Sequence, residues 1–110
     1  MVDVSFPYKK SEREALKGST AEEIQRWLPE ARVIKGWNHA RAKHLTDPEV
    51  DGIAASVLIT GDDRAAKQTA FALARDIGFH PVDAGPLNAT RDLEKLVAPM
   101  LFVRWARYAF

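Results

Sequence analysis

Ala55-Ser56-Val57-Leu58-Ile59-Thr60, followed by Gly61-Asp62-Asp63, sets the class of this fold. The first six residues are the most hydrophobic segment of the chain and are rich in β-branched side chains, which predicts a strand. The glycine ends it, and an aspartate then offers a carboxylate to the free amides of a helix start. Ala66, Ala70, Leu73, Ala74 and Ile77 recur at helical spacing, and Gly78 stands where a left-handed residue closes a helix. Pro81-Val82-Asp83-Ala84 reads as a short strand. Gly85-Pro86 turns the chain into a last helix over 88–107, with Leu93, Leu96, Val97, Met100 and Val103 as its apolar stripe and Pro99 as a kink.

The same alternation runs through the earlier residues. Val2-Asp3-Val4-Ser5-Phe6, closed by Pro7, predicts a first strand, and the polar stretch over 8–18 a loop. Ser19 with Glu22, or Thr20 with Glu23, offers a capping box for a helix whose Ala21, Ile24, Trp27 and Leu28 share a face and which Pro29 stops. Arg32-Val33-Ile34-Lys35-Gly36 is the next strand, so residues 2–36 form a strand–helix–strand unit with parallel strands. Residues 37–51 read as mostly irregular, with one helical turn around 42–45. The class is therefore α/β, with a mixed or mainly parallel sheet of three to four strands and helices on it. Such a sheet is normally continued on both sides, and here the first strand has nothing before it, so its edge is expected to be adhesive.

Composition removes several functions. With 110 residues the chain is one domain at most, and an apolar content of 46% supports a packed core. A net charge of +1, with Lys9-Lys10 as a lone basic pair, gives no electrostatic case for nucleic acid or an anionic membrane. Absence of cysteine excludes disulfides, thiolate metal sites and cysteine nucleophiles. No apolar run is long enough to span a bilayer, and the first residues do not read as a secretory signal. A cytoplasmic protein is the resulting expectation.

Four blocks carry a resemblance to a known family. They are Gly18-Ser19-Thr20-Ala21-Glu22-Glu23; Leu28-Pro29-Glu30-Ala31-Arg32-Val33-Ile34-Lys35-Gly36-Trp37-Asn38; Gly61-Asp62-Asp63 with Ala66-Lys67; and Gly78-Phe79-His80-Pro81-Val82-Asp83-Ala84-Gly85-Pro86-Leu87 with Arg91, Leu93 and Glu94. In order and spacing they resemble the second half of the 8-hydroxy-5-deazaflavin-dependent NADP oxidoreductases. The resemblance implies a partial, C-terminal-half Rossmann-like domain over 1–110, with strand–helix units over 1–86 and a C-terminal helix over 87–110. It also implies hydride transfer between NADPH and a deazaflavin, with NADP(H) and deazaflavin as cofactors. Relatives reduce other acceptors, including ferric ions through flavin.

The departures are equally informative. Complete members open with a G-x-G-x-x-G turn whose amides hold the pyrophosphate. Gly18, Gly36, Gly52, Gly61, Gly78 and Gly85 are dispersed and make no such turn. The adenosine-ribose site is missing too, and Phe6 replaces the asparagine that often precedes the proline. The chain is therefore expected to be inactive alone and to bind no dinucleotide by itself.

Hydride transfer requires positioning rather than an acid, base or metal from the protein, so no catalytic or metal-ligating residue is assigned. Trp37-Asn38-His39-Ala40 follows a strand end, where open α/β sheets bind ligands. By resemblance these four residues and Pro7 reach the nicotinamide, with Asn38 or a backbone group on its carboxamide, while the turn after Asp83 and the last helix wall the acceptor pocket. The alternative is that Trp37 packs and Asn38 satisfies a turn. His39, His44 and His80 share no metal spacing, Asp62-Asp63 suits a helix cap, Asp83 suits its own turn, and Phe102, Trp105, Tyr108 and Phe110 suit packing. Three roles stay open: an oxidoreductase fragment without independent activity, an enzyme completed by a homo-oligomer or a separate N-terminal half, and a non-catalytic oligomerising interaction module.

Overall fold

The computed structural model describes residues 1–5, 18–37, 47–50 and 52–101, with Val50 and residues 96–101 by backbone alone. The elements are β1 (Val2–Asp3), α1 (Thr20–Trp27), β2 (Ile34–Lys35), β3 (Glu49–Val50), β4 (Ile53–Ala54), β5 (Ser56–Gly61), α2 (Arg64–Ile77), β6 (His80–Asp83), a 3-10 turn (Leu87–Ala89) and α3 (Thr90–Leu101).

Both helix starts follow from their caps. Ser19 and Glu22 satisfy each other's backbone amides in the expected capping box at α1. At α2 the Asp63 carboxylate accepts from Ala66 N at 2.8 Å. Gly78, at φ 107°, closes α2 by donating to Ala74 O and Arg75 O.

Among the described residues the sheet has four strands in the order β1-β2-β5-β6. β1 and β2 are parallel, as are β5 and β6, whereas β2 and β5 are antiparallel. Two parallel strand–helix–strand units are thus joined head to tail, giving the mixed α/β sheet that the sequence predicts. The carboxyl ends of β1 and β2 lie at one sheet end, those of β5 and β6 at the other.

Alternation along the strands makes three layers. One face of the sheet carries Ile34, Val57 and Ile59, clustered with Ala70 and Ala74 of α2 and with Trp37 and Phe79. The other face carries Val33, which clusters with Ala21 of α1 and with Leu87. Alanines at 70 and 74 let α2 lie close to the sheet. Gly61 does the same between β2 and β5, where a Cβ would collide with the Ile34 side chain.

The strand read over 32–36 is limited to Ile34–Lys35, and Leu73 and Ile77, read on the apolar stripe of α2, are 47% and 39% exposed. Two larger features also differ from the sequence reading. The segment read as irregular contains a hairpin, β3–β4, with Val50 opposite Ile53. Its signature is Asp51-Gly52, with Gly52 at φ 79°. The last helix is preceded by its own 3-10 turn, and α3 starts at Thr90 rather than 88. The turn expected around 42–45 and the aromatic residues from Phe102 onward lie outside the described residues. Among the described residues β1 is a sheet edge, and Val2 and Val4 are 42% and 58% exposed there. No described helix is long and apolar enough to cross a membrane.

Candidate functional site

Parallel pairing sets Asp3 of β1 beside Lys35 of β2, with both side chains on the α1/α3 face of the sheet. Lys35 is 0% exposed, unusual for a lysine. Its Nζ donates to Asp3 Oδ2 at 2.9 Å, to Thr20 Oγ1 at 2.8 Å and to the Ser5 carbonyl. Those bonds use all three protons of the ammonium. Glu94 Oε1 from α3 lies 3.2 Å away as a second carboxylate partner. The Thr20 hydroxyl donates a hydrogen bond to Glu94 Oε1 at 2.5 Å.

Among the described residues one cation thus faces two buried carboxylates, leaving an excess of negative charge there. The start of α1 offsets it. Glu94 accepts from Thr20 N at 3.1 Å, one of the free amides at the helix's positive end. Three residues earlier on α3, Arg91 reaches Glu22, the capping-box carboxylate, at 2.9 Å. Arg91 and Glu94 together bolt α3 onto the first turn of α1.

Burial alone pushes the Asp3 carboxyl up, but the hydrogen bonds from Ser5 and Lys35 and the Lys35 charge outweigh it and hold Asp3 below the usual aspartate range. Glu22 behaves alike: burial raises it, and Arg91 and Ser19 bring it below its ordinary value. Because the folded value is lower than the unfolded one, the Asp3 contribution is complete above the ordinary aspartate range. It is lost as pH falls through that range to the lowered value. Urea-unfolding midpoints should therefore drop with acid, and Asp3→Asn should flatten that drop while lowering the neutral plateau. An equally steep acid limb in Asp3→Asn would show that Asp3 does not carry it.

Of the residues singled out in the sequence, Trp37 is described, while Pro7, Asn38, His39 and Ala40 lie outside the described residues. Trp37 is 8% exposed and packs edge-on against Phe79, with ring centres 6.4 Å apart. Its backbone is left-handed (φ 57°), and its buried Nε1 has no hydrogen-bond partner among the described residues. The turn after Asp83 lies at the other end of the sheet, because Gly85 O pairs with Gly61 N beside Ile34. The described residues therefore bring α3, but not that turn, to the carboxyl ends of β1 and β2.

Asp83 accepts from Gly85 N at 2.9 Å within its own turn and pairs with Lys67 at 2.7 Å. Lys67 and the Gly85 amide hold its carboxyl low. Asp62 accepts from Leu87 N at 3.0 Å. Nearby, a cleft of about 300 Å³ is lined by Gln25, Arg32, Asp62 and Asp63, among others. No group of three or more metal-ligating side chains occurs among the described residues.

Sequence reading missed the Asp3–Thr20–Lys35–Glu94 cluster. A signal was present. Lys35 sits between Ile34 and Gly36 in a short strand, at a position whose alternation turns it under the helix layer.

No family model matches the chain. It is 38% identical to metalloreductase STEAP3 of Rattus norvegicus over 101 residues, covering 92% of this chain and 20% of that protein. It is 33% identical to human metalloreductase STEAP2 over 88 residues, 79% of this chain and 17% of the relative. The chain thus spans about a fifth of the length of these relatives. Among solved structures, hypothetical protein SMa0349 of Sinorhizobium meliloti superposes with a TM-score of 0.71 at 26% identity, over 82% of this chain and 46% of that one. An Arthrobacter sp. FB24 protein assigned as an F420-dependent NADP-reductase superposes with a TM-score of 0.83 at 30% identity, over 97% of this chain. Nearly the whole chain is therefore similar to about half, 51%, of a Rossmann-like protein of that kind.

Proposed function

We propose that this chain is the acceptor-side half of an NADP(H)-dependent oxidoreductase, in which hydride passes between NADPH and a deazaflavin- or flavin-like acceptor. The observation that carries this reading is the superposition of 97% of the chain on half of a protein assigned as an F420-dependent NADP-reductase. The metalloreductase relatives support a redox role and leave the acceptor open.

The described residues do not fit the phosphates of a dinucleotide. A pyrophosphate needs free amides where a strand turns into a helix. At the β5–α2 turn that place is taken by Asp62 and Asp63, whose carboxylates already accept from Leu87 N and Ala66 N and would repel an anion. At α1 the Ser19, Glu22 and Glu94 side chains occupy the amides. Phosphate contacts must come from outside these residues. What this chain supplies is the carboxyl end of β1 and β2, where Trp37 and, by resemblance, Pro7, Asn38, His39 and Ala40 would orient a nicotinamide ring and exclude water from it. Bound NADPH supplies the hydride.

Calorimetric titration of the purified chain with NADPH should show no saturation up to roughly millimolar concentration. The part of the Arthrobacter protein that this chain does not match, fused ahead of Met1, should restore NADPH oxidation by a deazaflavin. Tight binding of NADPH by the chain alone would remove the basis of the half-site reading.

The exposed β1 edge favours a second reading, an interaction module that assembles through it. Sedimentation at micromolar concentration is then expected to show dimers or larger species, and a clean monomer would count against it. A fusion that binds NADPH but reduces no acceptor would favour this second reading.

A further inference from the structure

We infer that Lys35 is the positioning residue of the site: one buried ammonium fixes both strand ends from which the cofactor-facing residues depart. Its Nζ holds the Ser5 carbonyl, just before Phe6-Pro7. It also holds Asp3 Oδ2, while the other carboxylate oxygen of Asp3 accepts from Ser5 N at 2.8 Å. The Asp3 carbonyl in turn accepts from Gly36 N at 3.1 Å, immediately before the left-handed turn at Trp37. Ser5, Asp3, Lys35 and Gly36 thus form one continuous set of bonds across the carboxyl ends of β1 and β2. Thr20 and Glu94 anchor it from α1 and α3.

An apolar side chain of similar length would fill the same space without the cost of burying an ion. It could not hold the Ser5 carbonyl and aim the Asp3 carboxylate at Ser5 N, because packing contacts have no preferred direction and three ammonium protons do. The inference rests on the proposed function only for what these strand ends present to a cofactor; the geometry stands without it.

The test compares the wild-type chain with the neutral variant combining Asp3→Asn, Lys35→Met and Glu94→Gln, in the absence of nucleotide. Amide hydrogen exchange and the Trp37 indole N–H resonance are the readouts. The variant is expected to keep protection in β5 and α2, to lose about tenfold or more at Ser5 and Gly36, and to shift the Trp37 resonance. Unchanged protection at both amides with an unmoved indole signal would overturn the inference. Should the variant not fold, the wild type decides. Gly36 exchanging as slowly as Ile59 supports the inference, and exchange faster by roughly a hundredfold overturns it. Because no cofactor is added, a failed cofactor assignment leaves this result readable.

Discussion

Lys35→Met is expected to lose about 3–5 kcal/mol of folding stability, the usual effect of removing one member of a buried ion pair. A domain of this size has only about 5–15 kcal/mol in total, so much of the population should unfold under mild urea. Methionine matches the lysine stem in length, so packing is not what fails. What fails is electrostatic. Asp3 and Glu94 stay buried without the one cation they share, and the Ser5 carbonyl and Thr20 hydroxyl lose a donor. Neutralising both acids in the same chain should recover most of the loss, because amides can keep the remaining hydrogen bonds without a net charge. Urea denaturation followed by circular dichroism measures both variants. A loss below about 1 kcal/mol in Lys35→Met would mean that the ammonium is solvated rather than enclosed.

The fold was legible wherever local chemistry decides it. Ser19 with Glu22, Asp63 with Gly78, and the run over 55–60 each act through neighbours in sequence, and each formed the element they predict. The hairpin at 49–54 was legible in Asp51-Gly52 but was obscured by its two-residue strands. The antiparallel joint between β2 and β5 was not legible, since the direction of a strand leaves no mark in its own residues. The Lys35 cluster was hidden for a related reason. Asp3, Thr20, Lys35 and Glu94 are ordinary surface residue types spread over most of the chain, and only the sheet order and the docking of α3 bring them together.

On the opposite face of the sheet the expected result is a cavity effect. Ile59 is 0% exposed at the centre of β5, flanked by β2 and β6 and clustered with Ala70, Ala74 and Phe79. Ile59→Ala should cost about 2–5 kcal/mol, against about 0.5–1.5 kcal/mol for Ile59→Val. The upper part of the first range is expected because the neighbours cannot refill the space. Ala70 and Ala74 have no rotamers to turn inward, and Gly36, whose Cβ would lie 3.6 Å from Ile59 Cγ1, has no side chain at all. Leu73→Ala on the exposed side of α2 serves as the control, within about 0.5 kcal/mol of wild type. The consequence reaches the candidate site, since Gly36 rests over Ile59 and leads directly into Trp37. Ile59→Ala should therefore also disturb the Trp37–Phe79 contact, read as a shift in Trp37 emission in a background carrying Trp27→Phe and Trp105→Phe. Equal costs for the alanine and valine variants, with Trp37 emission unmoved, would mean that the core at this point collapses freely and does not support the turn above it.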